Sequence, residues 1–354
     1  MSDDFFSGKK IFITGHTGFI GSWLTKWLAM LNAEVFGYSL GPPTKPNMYE
    51  SLDLASKIVD VRGDVRDRKA LKEALERFSP EIVFHLAAQP IVLESYTNPT
   101  ETFETNVIGT VNLLDGLRDI RSARVIIVMT SDKVYRNNEW VYPYREIDPL
   151  GGKDPYSASK SCQDIIVNSF RESYFNDVGI GVSSIRAGNV IGGGDWGKYR
   201  IVPDIVKALS ENKVVEIRNP DSIRPWQYVL EPIYGMLKLA EKMWYDIKFS
   251  GDWNFGPKLQ QEIPVRKVVE EFIKLWGGGS YSVAGNTDKI EAKYLRLDIS
   301  KAIGKLKWSP LYDFETTIKK TVQWYKGYYH DMNKIDLLTE TQIKEYLEAQ
   351  AVDE

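Results

Sequence analysis

At 354 residues the chain is long enough for one large or two medium domains with a buried core. Its 43% hydrophobic and 26% charged residues are ordinary globular proportions, and a net charge of −3 argues against a nucleic-acid partner. The lone cysteine, Cys162, excludes an internal disulfide and fits a reducing cytoplasm; three scattered histidines (His16, His85, His330) form no metal-ligand pattern, so no metal is expected.

The segment from Met1 to Lys10 has no apolar run of the kind a leader peptide needs, and no stretch approaches the ~20 apolar residues of a membrane span. Lys10–Thr14 is a short apolar run, predicted as a strand, that ends in a glycine-rich turn. Ile20, Trp23, Leu24, Trp27, Leu28 and Leu31 then recur three or four apart, predicting a helix. Further strands are predicted at Glu34–Tyr38, Ile58–Gly63, Ile82–Leu86 and Arg124–Met129, with helices at Arg68–Phe78 and Pro99–Leu117 between them. Near-continuous apolar strands alternating with helices imply a doubly wound parallel sheet covered on both faces.

Beyond about residue 190 the texture changes. Glycines 192–194, Pro203, Pro220 and Pro225 punctuate shorter elements. A dinucleotide-binding domain over 1–190 is expected, with segments near 220–255 returning to it. Residues 191–354 form mainly a smaller mixed α/β substrate domain. Glu270–Trp276 and Thr316–Tyr328 read as amphipathic helices; the tail from Thr339 to Glu354 reads as helical and polar, with no assigned role.

Gly15, Gly18 and Gly21 lie in the run Thr14-Gly-His-Thr-Gly-Phe-Ile-Gly21, between a strand and a helix. Such glycines serve the tight turn, close backbone approach to a pyrophosphate, and helix-to-strand packing, while the helix start offers free N–H groups to the anion. Asp64, after the third strand, is placed to accept from an adenine amino group. Tyr38-Ser-Leu-Gly41 ends the second strand, where an acid would select NAD through the ribose 2′-hydroxyl and an arginine would favour the 2′-phosphate of NADP. Neither residue type is present in that run, so it does not decide between the two.

Ser131 and Asp132 follow the strand ending at Met129, at the carboxyl edge where ligands of parallel sheets bind. Tyr156 and Lys160 are spaced i, i+4 and so share a helix face. A phenol is a poor base at neutral pH unless nearby positive charge favours the phenolate. With such help Tyr156 can take a hydroxyl proton as hydride leaves for a cofactor.

Together the glycine pattern, His85-Leu-Ala-Ala-Gln89, Asn106, Ser131 and the Tyr156/Lys160 pair resemble the extended short-chain dehydrogenase/reductase family, over nearly the whole chain. The resemblance implies an NAD site, with NADP not excluded, built from Gly15, Thr17, Gly18, Phe19, Ile20, Gly21, Asp64, Val65, Leu86, Ala87, Ala88 and Asn106 together with Tyr156 and Lys160. It also implies a nucleotide-sugar substrate, Ser131, Tyr156 and Lys160 as catalytic residues, and a homodimer or homotetramer.

Thr130-Ser-Asp-Lys-Val-Tyr135 further resembles the stretch where sugar 4,6-dehydratases carry a hydroxyl, an acid and a base, here Ser131, Asp132 and Lys133. Lysine rather than glutamate at 133 matches the CDP-glucose pattern and departs from the dTDP-glucose one. Glu139-Trp140, Tyr144-Arg-Glu146, Arg186 to Trp196 and Ile223 to Tyr228 also resemble the CDP-glucose pattern. This implies C5 deprotonation by a neutral Lys133, proton delivery by Asp132, and a role in deoxysugar supply for surface glycans such as a lipopolysaccharide O-antigen. Gln89, Asn189, Arg200, Arg218 and Arg224 are the candidate substrate contacts, Asn189 and Arg224 for the diphosphate. Tyr294 stands near where related dehydratases often place a phosphate-binding arginine. Two rival functions remain at this point: a 4-epimerase (or a dehydratase of another nucleotide hexose), and a non-catalytic NAD(P)-sensing regulator. The epimerase would have no use for Asp132 and Lys133, and the regulator could lose Tyr156 and Lys160.

Overall fold

The structure, a computed structural model, describes residues 4–258, 263–284 and 295–353. Seven strands form one sheet: β1 (Lys10–Thr14), β2 (Glu34–Ser39), β3 (Val59–Arg62), β4 (Ile82–His85), β5 (Val125–Met129), β6 (Gly181–Ala187) and β7 (Gly251–Phe255). Their order is 7-6-5-4-1-2-3, and every pair is parallel. Successive side chains of a strand point to opposite faces, and here each face is buried. Ile11, Ile13, Ile82, Phe84, Val125 and Ile127 join one core, while Phe12, Val83, Ile126 and Val128 join the other. This explains the continuous apolar runs and gives the doubly wound fold expected from them.

Helices cover both faces. On the first are α1 (Phe19–Met30) and, further along the chain, Leu230–Tyr245. On the second are α2 (Arg68–Phe78), α3 (Gly109–Leu117) and α4 (Pro155–Phe170). Their starts follow simple capping chemistry: Asp67 accepts from the Ala70 amide at 3.0 Å, and Asp154 accepts from the Ser157 amide at 2.9 Å with Pro155 opening α4. Helix α3 continues the run from Pro99 through a widened turn at Glu104–Ile108, which turns Asn106 fully inside.

Outside the sheet the chain forms α5 (Ile201–Ser210), α6 (Leu230–Tyr245), α7 (Val265–Trp276), α8 (Phe314–His330) and α9 (Ile335–Asp353). Among them lie three two-stranded ladders, pairing 190–191 with 227–228, 223–224 with 263–264, and 215–217 with 281–283.

The C-terminal tail differs from its polar appearance. Helix α9 begins earlier, at Ile335, and buries Ile335, Ile343 and Tyr346 against the body. Lys26 of α1 pairs with Asp336 at 2.6 Å and Glu340 at 2.7 Å. The buried Glu231 accepts from Tyr346 Oη at 2.6 Å and from the Leu311 and Tyr312 amides. Sequence periodicity hides this because several inward positions of α9 are polar: Thr339, Gln342 and Gln350 are buried and hydrogen-bonded. Among the described residues no helix is long and apolar enough to cross a membrane, and no group of three metal-ligating side chains occurs.

Candidate active site

In an open parallel sheet the ligand crevice lies beyond the carboxyl ends of the strands, where strand order reverses. Here that point is between β1 and β4. The loop after β1 touches the loop after β4: the Leu86 amide donates to Thr14 O at 3.0 Å and the Ala87 amide to Thr14 Oγ1 at 3.3 Å. The three glycines divide the expected tasks. Gly15 has φ +77°, and a Cβ there would lie 2.6 Å from Ala87 N; a Cβ on Gly21 would lie 2.1 Å from Gly15 O. Gly18 is different, since a Cβ on it would meet only Gly15 O, at 3.4 Å. The space over Gly18 is therefore open to a ligand. Gly18 caps α1 without any side-chain hydrogen bond and no acid lies in the first turn, in contrast to the carboxylate-capped α2 and α4. An uncapped helix start beneath open space suits a pyrophosphate, so these residues fit a dinucleotide.

Other expected cofactor residues gather around this crevice. Thr17 Oγ1 contacts Ser39 Oγ at 2.9 Å and donates to Leu40 O at 3.1 Å. Asp64 is held by Arg66, whose guanidinium beside it lowers its carboxyl below the usual range. Val65 is buried next to Gly109. Asn106 accepts from the Gln89 amide at 2.8 Å and donates to Ser159 Oγ at 2.9 Å. Phe19 and Ile20 open α1 and pack on the core. The run 38–41 itself holds no arginine, but Arg62, from β3, donates to Leu40 O at 3.2 Å. It was invisible because strand register, not sequence distance, brings it there.

Strand β5 delivers Ser131 and the short turn Asp132–Val134 to the same edge. Ser131 Oγ lies 3.0 Å from Asp132 Oδ1, accepts from the Lys133 amide at 3.2 Å and hydrogen-bonds the Tyr156 hydroxyl. Lys133 Nζ stands 6.0 Å from the centre of the Tyr156 ring. Asp132 is only 2% exposed, and its second oxygen accepts from Asn189 Nδ2 at 3.3 Å. Gly188 is required beside it, since a Cβ would come within 2.1 Å of the Asp132 carboxyl carbon.

Burial pushes the Tyr156 phenol up to about 12; the Ser131 hydrogen bond and the Arg200 charge act the other way. Expected help from Lys160 does not come by direct contact. Its amine donates instead to Met129 O at 3.2 Å and to Gln163 Oε1 at 2.9 Å, and burial pulls it down to about 7. Sequence reasoning missed the support behind it. Gln163 Nε2 donates to Thr110 Oγ1 at 2.8 Å, and Thr110 donates its single proton to Asn106 O. The remaining contact of Thr110, 3.0 Å from His85 Nε2, must therefore be donated by the imidazole, leaving Nδ1 to accept from Thr14 at 2.6 Å. Burial holds His85 neutral, at about 3. A hydrogen-bonded line thus runs from the loop after β1 to Lys160.

The expected substrate contacts scatter. Arg200 pairs with Asp195 at 3.0 Å and lies close enough to Tyr156 to act on its charge. Asn189 reaches Asp132 and so stands at the reacting end. Arg218 is exposed and 4.0 Å from Asp204; Arg224 Nη1 donates to Ile223 O at 2.9 Å. The Gln89 amide group turns back on its own loop, donating to Ile91 O at 3.2 Å, and also donates to Thr102 Oγ1 of the helical segment Pro99–Phe103 at 2.8 Å. Tyr294 lies outside the described residues.

The model of the GDP-mannose 4,6 dehydratase family matches residues 12–321. The chain belongs to this family. It is thus also an extended short-chain dehydrogenase/reductase. Among its relatives, a CDP-glucose 4,6-dehydratase of Salmonella typhimurium is 44% identical over 99% of both chains. A Bacillus anthracis dTDP-glucose 4,6-dehydratase solved in complex with NAD superposes with a TM-score of 0.76 at 21% identity, covering 93% of this chain and 100% of that one. A Thermotoga maritima UDP-glucose 4-epimerase solved with UDP-glucose gives 0.78 at 23% identity, covering 90% and 99%. Proteins of both activities share the fold, so the choice between them falls to the side chains.

Proposed function

We propose that this chain is an NAD-dependent lyase that converts CDP-D-glucose to CDP-4-keto-6-deoxy-D-glucose. The observation that carries the dehydratase over the epimerase is the Asp132–Lys133 pair set beside Tyr156 and buttressed by Ser131 and Asn189. Epimerisation at C4 needs no base at C5 and no acid at C6. For CDP-glucose over other nucleotide hexoses, the support is the 44% identical relative of that activity together with Lys133.

Tyr156 accepts the proton of the 4-hydroxyl as C4 is oxidised. Ser131 has one proton, and donating it to Tyr156 rather than to Asp132 favours the phenolate; Arg200 adds positive charge. The glycine loop at Gly15 and Gly18, with Lys160, would hold NAD, which would supply a reversible hydride acceptor for C4 and C6 and a positive charge favouring the phenolate. The 4-ketone acidifies the C5 proton, and the amine of Lys133 removes it. Asp132 gives a proton to the departing 6-hydroxyl, which leaves as water. Lys133 then returns its proton to C5, the proton on Tyr156 passes to Asp132 through Ser131, which hydrogen-bonds both, and the sum is loss of one water with no net oxidation. Lys160, held by Gln163 and Met129 O, has in its protonated form a third N–H to orient the nicotinamide ribose.

Residues 191–354 bind most of the nucleotide sugar, with Arg200 nearest the sugar and Arg218 and Arg224 toward the nucleotide. The enzyme works as a homodimer or homotetramer in the cytoplasm. The exposed Tyr96, Ile108 and Ile165, on the helical segments flanking the site, are the candidate contact. The test is incubation with CDP-glucose, dTDP-glucose, UDP-glucose and GDP-mannose in turn, with NAD+, followed by proton NMR. A new C6 methyl signal from CDP-glucose is expected; a galacto-configured product with its 6-hydroxyl intact means an epimerase.

A further inference from the structure

Selection of NAD over NADP ordinarily depends on a carboxylate at the end of the second strand, which takes the ribose 2′-hydroxyl and repels a 2′-phosphate. In this chain Ser39 stands at that end. Strand β3 lies beside β2 with Gly37 opposite Asp60 and Ser39 opposite Arg62. Residues paired in this way project to the same face of the sheet. That face carries the glycine loop: His16 Nε2 lies 2.9 Å from Asp60 Oδ1, and Thr17 touches Ser39.

The hydrogen-bond directions fix what Ser39 can offer. Thr17 donates its one hydroxyl proton to Leu40 O, so the Thr17–Ser39 contact is donated by Ser39. Both protons are committed, and Ser39 Oγ presents only lone pairs, without a charge. Arg62 is fixed beside it, Nη1 donating to Leu40 O at 3.2 Å and Nη2 to Asp60 Oδ2 at 2.7 Å, with the guanidinium 5.0 Å from the Tyr49 ring centre. A guanidinium has five donors, more than these contacts use. The nearest acid, Asp60, is covered by His16 on one oxygen and Arg62 on the other. The end of β2 therefore presents a neutral acceptor and a cation where an anion usually stands.

We infer that the adenosine end of this site accepts a ribose 2′-phosphate as well as a 2′-hydroxyl, with Arg62 as the counter-charge. This rests on the dinucleotide site of the proposed function, and binding tests it without turnover. The full-length protein, freed of bound nucleotide, is titrated calorimetrically with NAD+, NADP+, 5′-AMP and 2′,5′-ADP. NAD+ and NADP+ should bind within about tenfold of one another. Arg62→Met should weaken NADP+ and 2′,5′-ADP by about tenfold or more, the loss of one charge-assisted hydrogen bond, while changing NAD+ and 5′-AMP less than about threefold. Ser39→Asp should shift preference the other way. Wild-type protein that binds NAD+ alone, or an Arg62→Met variant that weakens all four ligands equally, overturns the inference and leaves the proposed function standing. Binding of none of the four overturns both.

Discussion

Replacing Lys160 with methionine should change how stability depends on pH. Burial holds the folded-state amine at about 7, against 10.5 for the free side chain. Between those values the unfolded chain binds the proton and the folded chain does not, so wild-type stability rises with pH through the window and the full penalty is felt below it. A gap of about 3.5 units corresponds to ~5 kcal/mol, of which ~3 kcal/mol falls between about pH 7 and pH 9.5. Methionine keeps the stem and bulk of the lysine but leaves Met129 O and Gln163 Oε1 without their donor. That loss, roughly 1–3 kcal/mol for each group, is the same at both pH values and cancels when the two proteins are compared across them. Urea unfolding of both at the two pH values is the assay. The wild type should gain about 3 kcal/mol on Lys160→Met from the lower pH to the higher. Parallel changes in the two proteins would refute the desolvated amine on which the site's electrostatics rest.

Three further substitutions probe separate parts of the account. Lys133→Met leaves Tyr156 and Lys160 in place, so the near-ultraviolet absorbance of reduced nicotinamide should build up on adding CDP-glucose while no methyl product forms; normal product formation would remove Lys133 from the C5 step. Asn189→Leu takes away the amide that donates to Asp132 Oδ2. Steady-state kinetics should show kcat down by about tenfold with KM changed less than about threefold, whereas a raised KM at constant kcat would mark Asn189 as a diphosphate contact instead. Glu231→Leu removes the acceptor of Leu311 N, Tyr312 N and Tyr346 Oη and should cost ~3 kcal/mol. Thermal melts and protease sensitivity at α9 measure it, and an unchanged melting temperature would contradict the role of Glu231 as the anchor of that helix.

The parts of the molecule legible in the sequence are those in which local pattern and function coincide. The glycine loop needs its residue types at fixed offsets, the buried strands need unbroken apolar runs, and Tyr156 and Lys160 need one helix turn between them. What escaped depends on which elements become neighbours. Arg62 acts at the end of β2 only because β3 pairs there in one register. Gln163, Thr110 and His85 lie on three separate elements and meet only when α3 and α4 pack on the sheet. The contact of Asn189 with Asp132 likewise depends on the path of the loop after β6, which sequence spacing does not give. Helix α9 reads as polar since its buried face is partly polar, and its partners, Lys26 and Glu231, lie far away in sequence.

Hydride removed from C4 is expected to return to C6 of the same sugar after water is lost. CDP-glucose carrying deuterium at C4, turned over with unlabelled NAD+ and examined by proton and deuterium NMR, tests it most directly. A product methyl group bearing that deuterium and a ketone at C4 are expected. Deuterium found back on C4, with the 6-hydroxyl still present, would contradict it.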